Sequence, residues 1–113
     1  MREIEFRAWD KMNAMFVYFT VKLGKETFLD PTIYEGELYL YIGLKDKKGK
    51  KGYFADLVKW GWSIYQVIWN VKEGIAQLIK CSGTEVFATL KIKEIENGEI
   101  IGNIYENSEL LDK

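Results

Sequence analysis

The sequence predicts a mainly β protein: an antiparallel sheet rolled into a small barrel, preceded by a β-hairpin and followed by a short helical turn. Two observations carry that prediction. Short segments alternate apolar and polar residues with the two-residue period of a half-buried strand, and Gly- or Asn-containing turns separate them at close spacing. A third observation sets the organisation. One proline and scattered single glycines in 113 residues leave no low-complexity linker and no internal repeat, so the chain reads as one domain. Its expected parts are a hairpin and loop over residues 1–36 and a barrel over residues 37–113.

Taken in order, Arg2 to Trp9 sets Ile4, Phe6 and Ala8 on one face against Glu3, Glu5 and Arg7, with Trp9 on the polar side. Asp10 to Asn13 supplies turn residues before the aromatic run Met15 to Val21, which makes a hairpin. Gly24 to Gly36 holds Pro31 and several acids and reads as a loop. Glu37 to Leu44 carries bulky groups on both faces, as a strand inside a sheet does. Lys45 to Gly52 is a turn in which Gly49 and Gly52 are expected to supply unusual backbone angles, and Tyr53 to Trp60 resumes the β pattern. Ser63 to Val71 and Ile75 to Cys81 form the arms of a second hairpin about Lys72-Glu73-Gly74. Ser82-Gly83-Thr84 turns the chain again into a strand over Glu85 to Ile92. Asn97-Gly98 signals a tight turn ahead of Glu99 to Tyr105, and Asn107 to Leu111 reads as a capped helical turn.

Composition excludes more chemistry than it suggests. The hydrophobic share of 48% and aromatic share of 15% supply an ordinary core. Lys+Arg 16 against Asp+Glu 17 gives a net charge of −1, which leaves no global field to draw in nucleic acid or membrane. The absence of histidine removes imidazole acid–base catalysis, Ser-His-Asp and Cys-His triads and His-containing zinc or iron sites from this chain. Cys81 is the single cysteine and has no internal disulfide partner. No apolar signal segment opens the sequence, and runs such as Leu38 to Leu44 fall short of the roughly 18 residues of a spanning helix. The expected location is cytoplasmic, with no membrane partner.

Three blocks stand out, in this order: Arg2-Glu3-Ile4-Glu5-Phe6-Arg7-Ala8-Trp9-Asp10-Lys11 with Met15, then Tyr41-Ile42-Gly43-Leu44-Lys45-Asp46-Lys47-Lys48-Gly49-Lys50, then Glu99 through Leu111. Together they resemble the YopX protein family of bacteriophages and prophages. The resemblance implies an SH3-like barrel, a phage or mobile-element origin and no assigned biochemical activity. One element departs from the family pattern: where it has Tyr-Glu-Gly-Asp-Ile-Val, this chain reads Tyr53-Phe54-Ala55-Asp56-Leu57-Val58. No role of the family's Glu transfers here, and Ala55 implies either a different backbone path or a bulge that tolerates a methyl group.

Two candidate binding features stand out. Lys45, Lys47, Lys48, Lys50 and Lys51 crowd one turn with a single acid, Asp46. As point charges they suit phosphate contact, but with no Arg and no Gly-x-x-x-x-Gly-Lys-Ser/Thr pattern a solvated turn is the favoured reading. Trp60, Trp62, Tyr65 and Trp69 recur close together, and Trp60-Gly61-Trp62 places two indoles on one side of an extended chain, for display to bases or prolines or for core packing or a subunit interface. Glu94 to Asp112 holds six acids and no Lys or Arg, either a solvated stretch or a surface for a basic partner, a phosphate mimic, or the lysine turn of another copy. Carboxylate pairs such as Glu94 with Glu96, or Asp10 with Asp30, lack a context that demands acid–base or Mg²⁺ chemistry. Cys81, without a His, reads as a structural thiol. The expectation is a non-catalytic accessory protein with no metal or cofactor. Its role is a protein-interaction module for a host or phage protein, with self-association as one form of that role. The alternative is a nucleic-acid-binding accessory protein using the Lys45 to Lys51 turn and exposed aromatics.

Overall fold

The computed structural model describes residues 3–22 and 33–111. Nine strands are described: β1 Glu3–Asp10, β2 Met15–Lys22, β3 Tyr34–Lys45, β4 Lys51–Tyr53, β5 Asp56–Trp60, β6 Ser63–Asn70, β7 Ile75–Gly83, β8 Thr89–Lys91 and β9 Glu99–Asn103. They form two sheets, in the orders β2-β1-β3-β4 and β8-β7-β6-β5-β9, and the registered pairs are antiparallel. The mainly β expectation holds, and the arrangement is consistent with a small barrel. Short 3-10 helices span Ile92–Asn97 and Ser108–Leu110. The chain divides into two compact units, Met1–Tyr41 and Ile42–Lys113, with the division falling inside β3.

In the first unit the predicted hairpin forms with continuous register from Glu3↔Lys22 to Asp10↔Met15. The Asp10 carboxylate shapes its turn by accepting the Met12 and Asn13 N–H groups at 2.9 and 3.1 Å and the Asn13 side-chain amide at 2.8 Å. Phe6 and Ala8 are buried as alternation requires, but so are Arg7 and Trp9, which the same alternation placed on a polar face. Because β1 lies between β2 and β3, aromatics reach it from neighbouring strands. The Arg7 guanidinium lies 3.8 Å from the Phe16 ring centroid, and Trp9 meets Phe16 edge-on at 5.1 Å. The loop reading of Gly24 to Gly36 falls mostly outside the described residues, and its last part, 34–36, is strand.

In the second unit the buried cluster is Val58, Tyr65, Val67, Leu78, Ile95 and Ile100, with Ile42, Leu44, Phe54, Trp60, Leu90 and Ile92 packed against it. Val58 and Trp60 are alternate positions of β5, and Tyr65 and Val67 of β6, as a sheet with one inward face dictates; Leu78 comes from β7, Ile100 from β9 and Ile95 from the first 3-10 helix. The predicted strand over Glu85 to Ile92 shrinks to β8, and Ile92 begins a 3-10 helix that buries Ile95. Asn97-Gly98 ends that helix, with the Gly98 N–H donating to the Ile95 carbonyl at 3.1 Å. Hence β9 pairs with β5 rather than folding back on β8. Asn107 opens the last helical turn without a side-chain cap; its Oδ1 instead accepts the Asn103 N–H at 3.1 Å.

The departure at Ala55 has a structural answer. Ala55 is buried and adopts φ +78, the left-handed conformation that favours glycine. Its N–H donates to the Val67 carbonyl and its carbonyl accepts the Ile104 N–H, both at 3.1 Å, so the surroundings fix that conformation. The backbone path is thus one suited to glycine, with a methyl group accommodated on it. Of the turn glycines, Gly49 has the expected positive φ of 86, whereas Gly52 answers a different need. A Cβ on Gly52 would lie 2.8 Å from Ile95 Cδ1.

Candidate functional site

The lysine turn is rigid and is built on Asp46. This buried carboxylate accepts the Lys48 and Lys50 N–H groups at 2.9 and 2.8 Å through Oδ1, and the Ile100 N–H at 2.8 Å through Oδ2. Burial pushes the Asp46 carboxyl up, but the Ile100, Lys50 and Lys48 N–H groups and the Lys50 charge outweigh it and hold it below its usual value. The Lys47 N–H donates to the Gly98 carbonyl at 3.0 Å, which pins the turn to the start of β9. The acid of the turn therefore faces inward, while Lys45, Lys47, Lys48, Lys50 and Lys51 are exposed. Lys48 reaches Glu99 at 3.5 Å within the same chain.

The two tryptophans separate. Trp60 ends β5 and Ser63 pairs with it, so Gly61-Trp62 is a two-residue hairpin turn, not part of an extended chain. Gly61 has φ +60, as the first position of a type II′ turn requires. Trp60 is half-buried, donates its indole N–H to Glu94 at 3.1 Å, and packs edge-on to Tyr65 and Phe87. Trp62 is 80% exposed. Its N–H donates to Glu85 at 2.8 Å, and the Glu85 N–H donates to the Ser63 hydroxyl at 2.8 Å. The Tyr65 hydroxyl donates to the Phe87 carbonyl at 2.7 Å, so loop 84–88 is fastened along the start of β6 with Val86 and Phe87 outward.

Register brings the lysine turn and Trp62 to the same end of the second sheet. Lys59 stands opposite Glu99, and Glu99 is the residue that Lys48 meets. At the other end of β6, about 25 Å away for eight residues, the β6–β7 hairpin carries exposed Trp69, Val71 and Ile75, with Phe54 edge-on to Trp69. Sequence reading singled out Trp69 among the clustered aromatics but not Val71 and Ile75, and it assigned 85–88 to a strand.

The remaining candidates resolve into local roles. Glu94 binds the Trp60 indole and the Asn97 amide, Glu96 pairs with Lys93, and Glu106 accepts the Asn103 amide. Asp30 and Asp112 lie outside the described residues. Cys81 is half-buried, and that burial pushes its thiol up against the opposing hydrogen bond from the Gln66 backbone. Among the described residues no three Cys, Asp or Glu side chains are grouped to hold a metal ion, and no helix is long and apolar enough to cross a membrane.

A family model described as YopX protein matches residues 21–112. The second and third blocks of the resemblance lie inside that span and the opening block, Arg2 to Lys11, lies before it. No curated protein matches the chain.

Proposed function

This chain belongs to the YopX protein family, and from that premise we propose that it is a phage- or prophage-derived accessory module that docks onto another protein in the bacterial cytoplasm. The proposed role makes and breaks no covalent bonds, and a second copy of the chain is one form the partner takes. The observation that carries this reading is the tip of the β6–β7 hairpin, where Trp69, Val71 and Ile75 are 54%, 84% and 47% exposed. Trp69 and Ile75 project from opposite faces of the hairpin, with Val71 in its turn; exposed apolar side chains on a hydrogen-bonded hairpin lose little conformational freedom on docking, and Trp is a residue type that dominates interface energetics. The tip is also held in shape: the Asn70 side chain accepts the Glu73 N–H and donates to Gln77.

The test is affinity capture from bacterial lysate with nuclease present, run beside a Val71→Lys/Ile75→Lys variant, with light scattering over a concentration series for self-association. The expected result is a stoichiometric protein that survives nuclease and is lost with the variant, or dimerisation lost with the variant. Capture or association unaffected by the variant, or material that disappears entirely with nuclease, overturns the reading.

A further inference from the structure

We propose that the opposite end of the second sheet is a binding site for single-stranded nucleic acid, in which the lysine turn and Lys59 contact phosphates and Trp62 stacks on a base. Three features of that end support it. The first is the direction in which its charges point. Asp46 is turned inward onto three backbone N–H groups, Glu85 onto the Trp62 N–H, and Glu94 onto the Trp60 indole and the Asn97 amide. Lys47, Lys48, Lys50 and Lys59 remain on the outside, so their ammonium groups are open to a phosphate while those three carboxylates, which keep their charge, are engaged by N–H groups of the chain. Glu99 opposes the lysines directly, through Lys48.

The second feature is preorganisation. The turn is closed by Asp46 N–H to Lys50 carbonyl and Gly49 N–H to Asp46 carbonyl bonds, and tied to β9 by Lys47. Lysines on such a turn lose only side-chain freedom on binding. The third is the neighbouring ring. Trp62 sits at a tight turn two residues beyond Trp60 with its backbone fixed by Glu85, and it is 80% exposed. Every base has a face to stack on such a ring, whereas a duplex hides its bases; this favours a single strand over double-stranded DNA. An acidic protein would satisfy the lysines but leave Trp62 without a function.

Fluorescence anisotropy of a labelled oligothymidine of about 20 nucleotides, titrated with the purified full chain, tests the proposal directly. It requires no captured partner, so its failure is separate from failure of the protein-docking role. Neutralising about three phosphates predicts roughly 20-fold weaker binding at about 200 mM salt than at about 50 mM. A Lys47→Gln/Lys50→Gln/Lys59→Gln variant should flatten that dependence. Trp62→Ala should weaken binding about 10-fold with the salt slope unchanged. Glu99→Gln, which releases Lys48, should tighten binding several-fold, an effect that misfolding does not mimic. No anisotropy change at the lower salt overturns the proposal. So does binding that responds to the lysine variant but not to Trp62→Ala and is displaced equally by polyglutamate, which would mark a surface for acidic protein.

Discussion

Ala55 illustrates how competing terms of similar size settle at one residue. Its left-handed conformation, φ +78, costs an L-residue about 1 to 2 kcal/mol relative to glycine. Against that, the buried methyl contributes about 0.8 kcal/mol, and alanine constrains the unfolded chain by about 0.7 kcal/mol more than glycine. The terms nearly cancel, which explains how a position with glycine in the family pattern accepts alanine without a change of path. Ala55→Gly should therefore shift stability by less than about 1 kcal/mol in urea unfolding. Ala55→Val should cost more than about 2 kcal/mol, because a β-branched side chain is far less tolerant of positive φ. A large loss for glycine would show that the methyl packs more tightly than its transfer energy implies.

At the scale of elements, the start of β6 and loop 84–88 act as one piece. Tyr65 is fully buried and its hydroxyl holds the Phe87 carbonyl, and the Lys80 ammonium donates to the Glu85 carbonyl at 2.6 Å. Tyr65→Phe removes one clasp and should lower global stability by about 1 kcal/mol, while raising the rate of limited proteolysis at Phe87 by a larger factor than that loss implies. Equal changes in both would mean that the loop opens only on global unfolding. Gly83 marks a close approach of backbone to backbone in this piece. With φ +112, a Cβ there would run into the Ser63 backbone, so Gly83→Ala should cost more than about 3 kcal/mol. The β8 reading failed for a related reason. Tyr65 takes its partner from the loop that alternation assigned to a strand, and the ladder between β7 and β8 is reduced to three pairs, Leu78↔Leu90 among them.

For the whole molecule, the charge distribution sets the pH response. Asp46 and Asp10 have carboxyls held below the ordinary 3.8, Asp10 chiefly by the Asn13 side chain. Their contribution is present above that value and is lost as pH falls through the lower folded values. Burial, with help from Glu85, pushes the Tyr65 hydroxyl above 10.0, and burial raises the Cys81 thiol above 9.0. Those contributions are present below the ordinary values and are lost as pH rises past them. With no histidine to titrate between, urea midpoints should form a plateau from about pH 5 to about pH 8 and fall on both sides. Asp46→Ala should lower the plateau by about 3 kcal/mol through three lost charge-assisted bonds and make the acid limb shallower. An unchanged acid limb would remove Asp46 as its source.

The sequence by itself determined the β class, both main hairpins, the exposed lysine turn and the exclusion of imidazole chemistry. Each follows from residue types and from a period read between near neighbours, as in the Asn70-to-Gly74 turn or the alternation through Ser63, Tyr65 and Val67. Only the tertiary structure decided that Arg7 is buried against Phe16, that Trp60 is packed while Trp62 is displayed, and that Asp46 reaches Ile100 across 54 residues. The physical reason is that alternation specifies which face a side chain takes, but what waits on that face depends on which strands become neighbours. Here β9 joined β5 because the Ile92–Asn97 helix, burying Ile95, carried the chain away from β8.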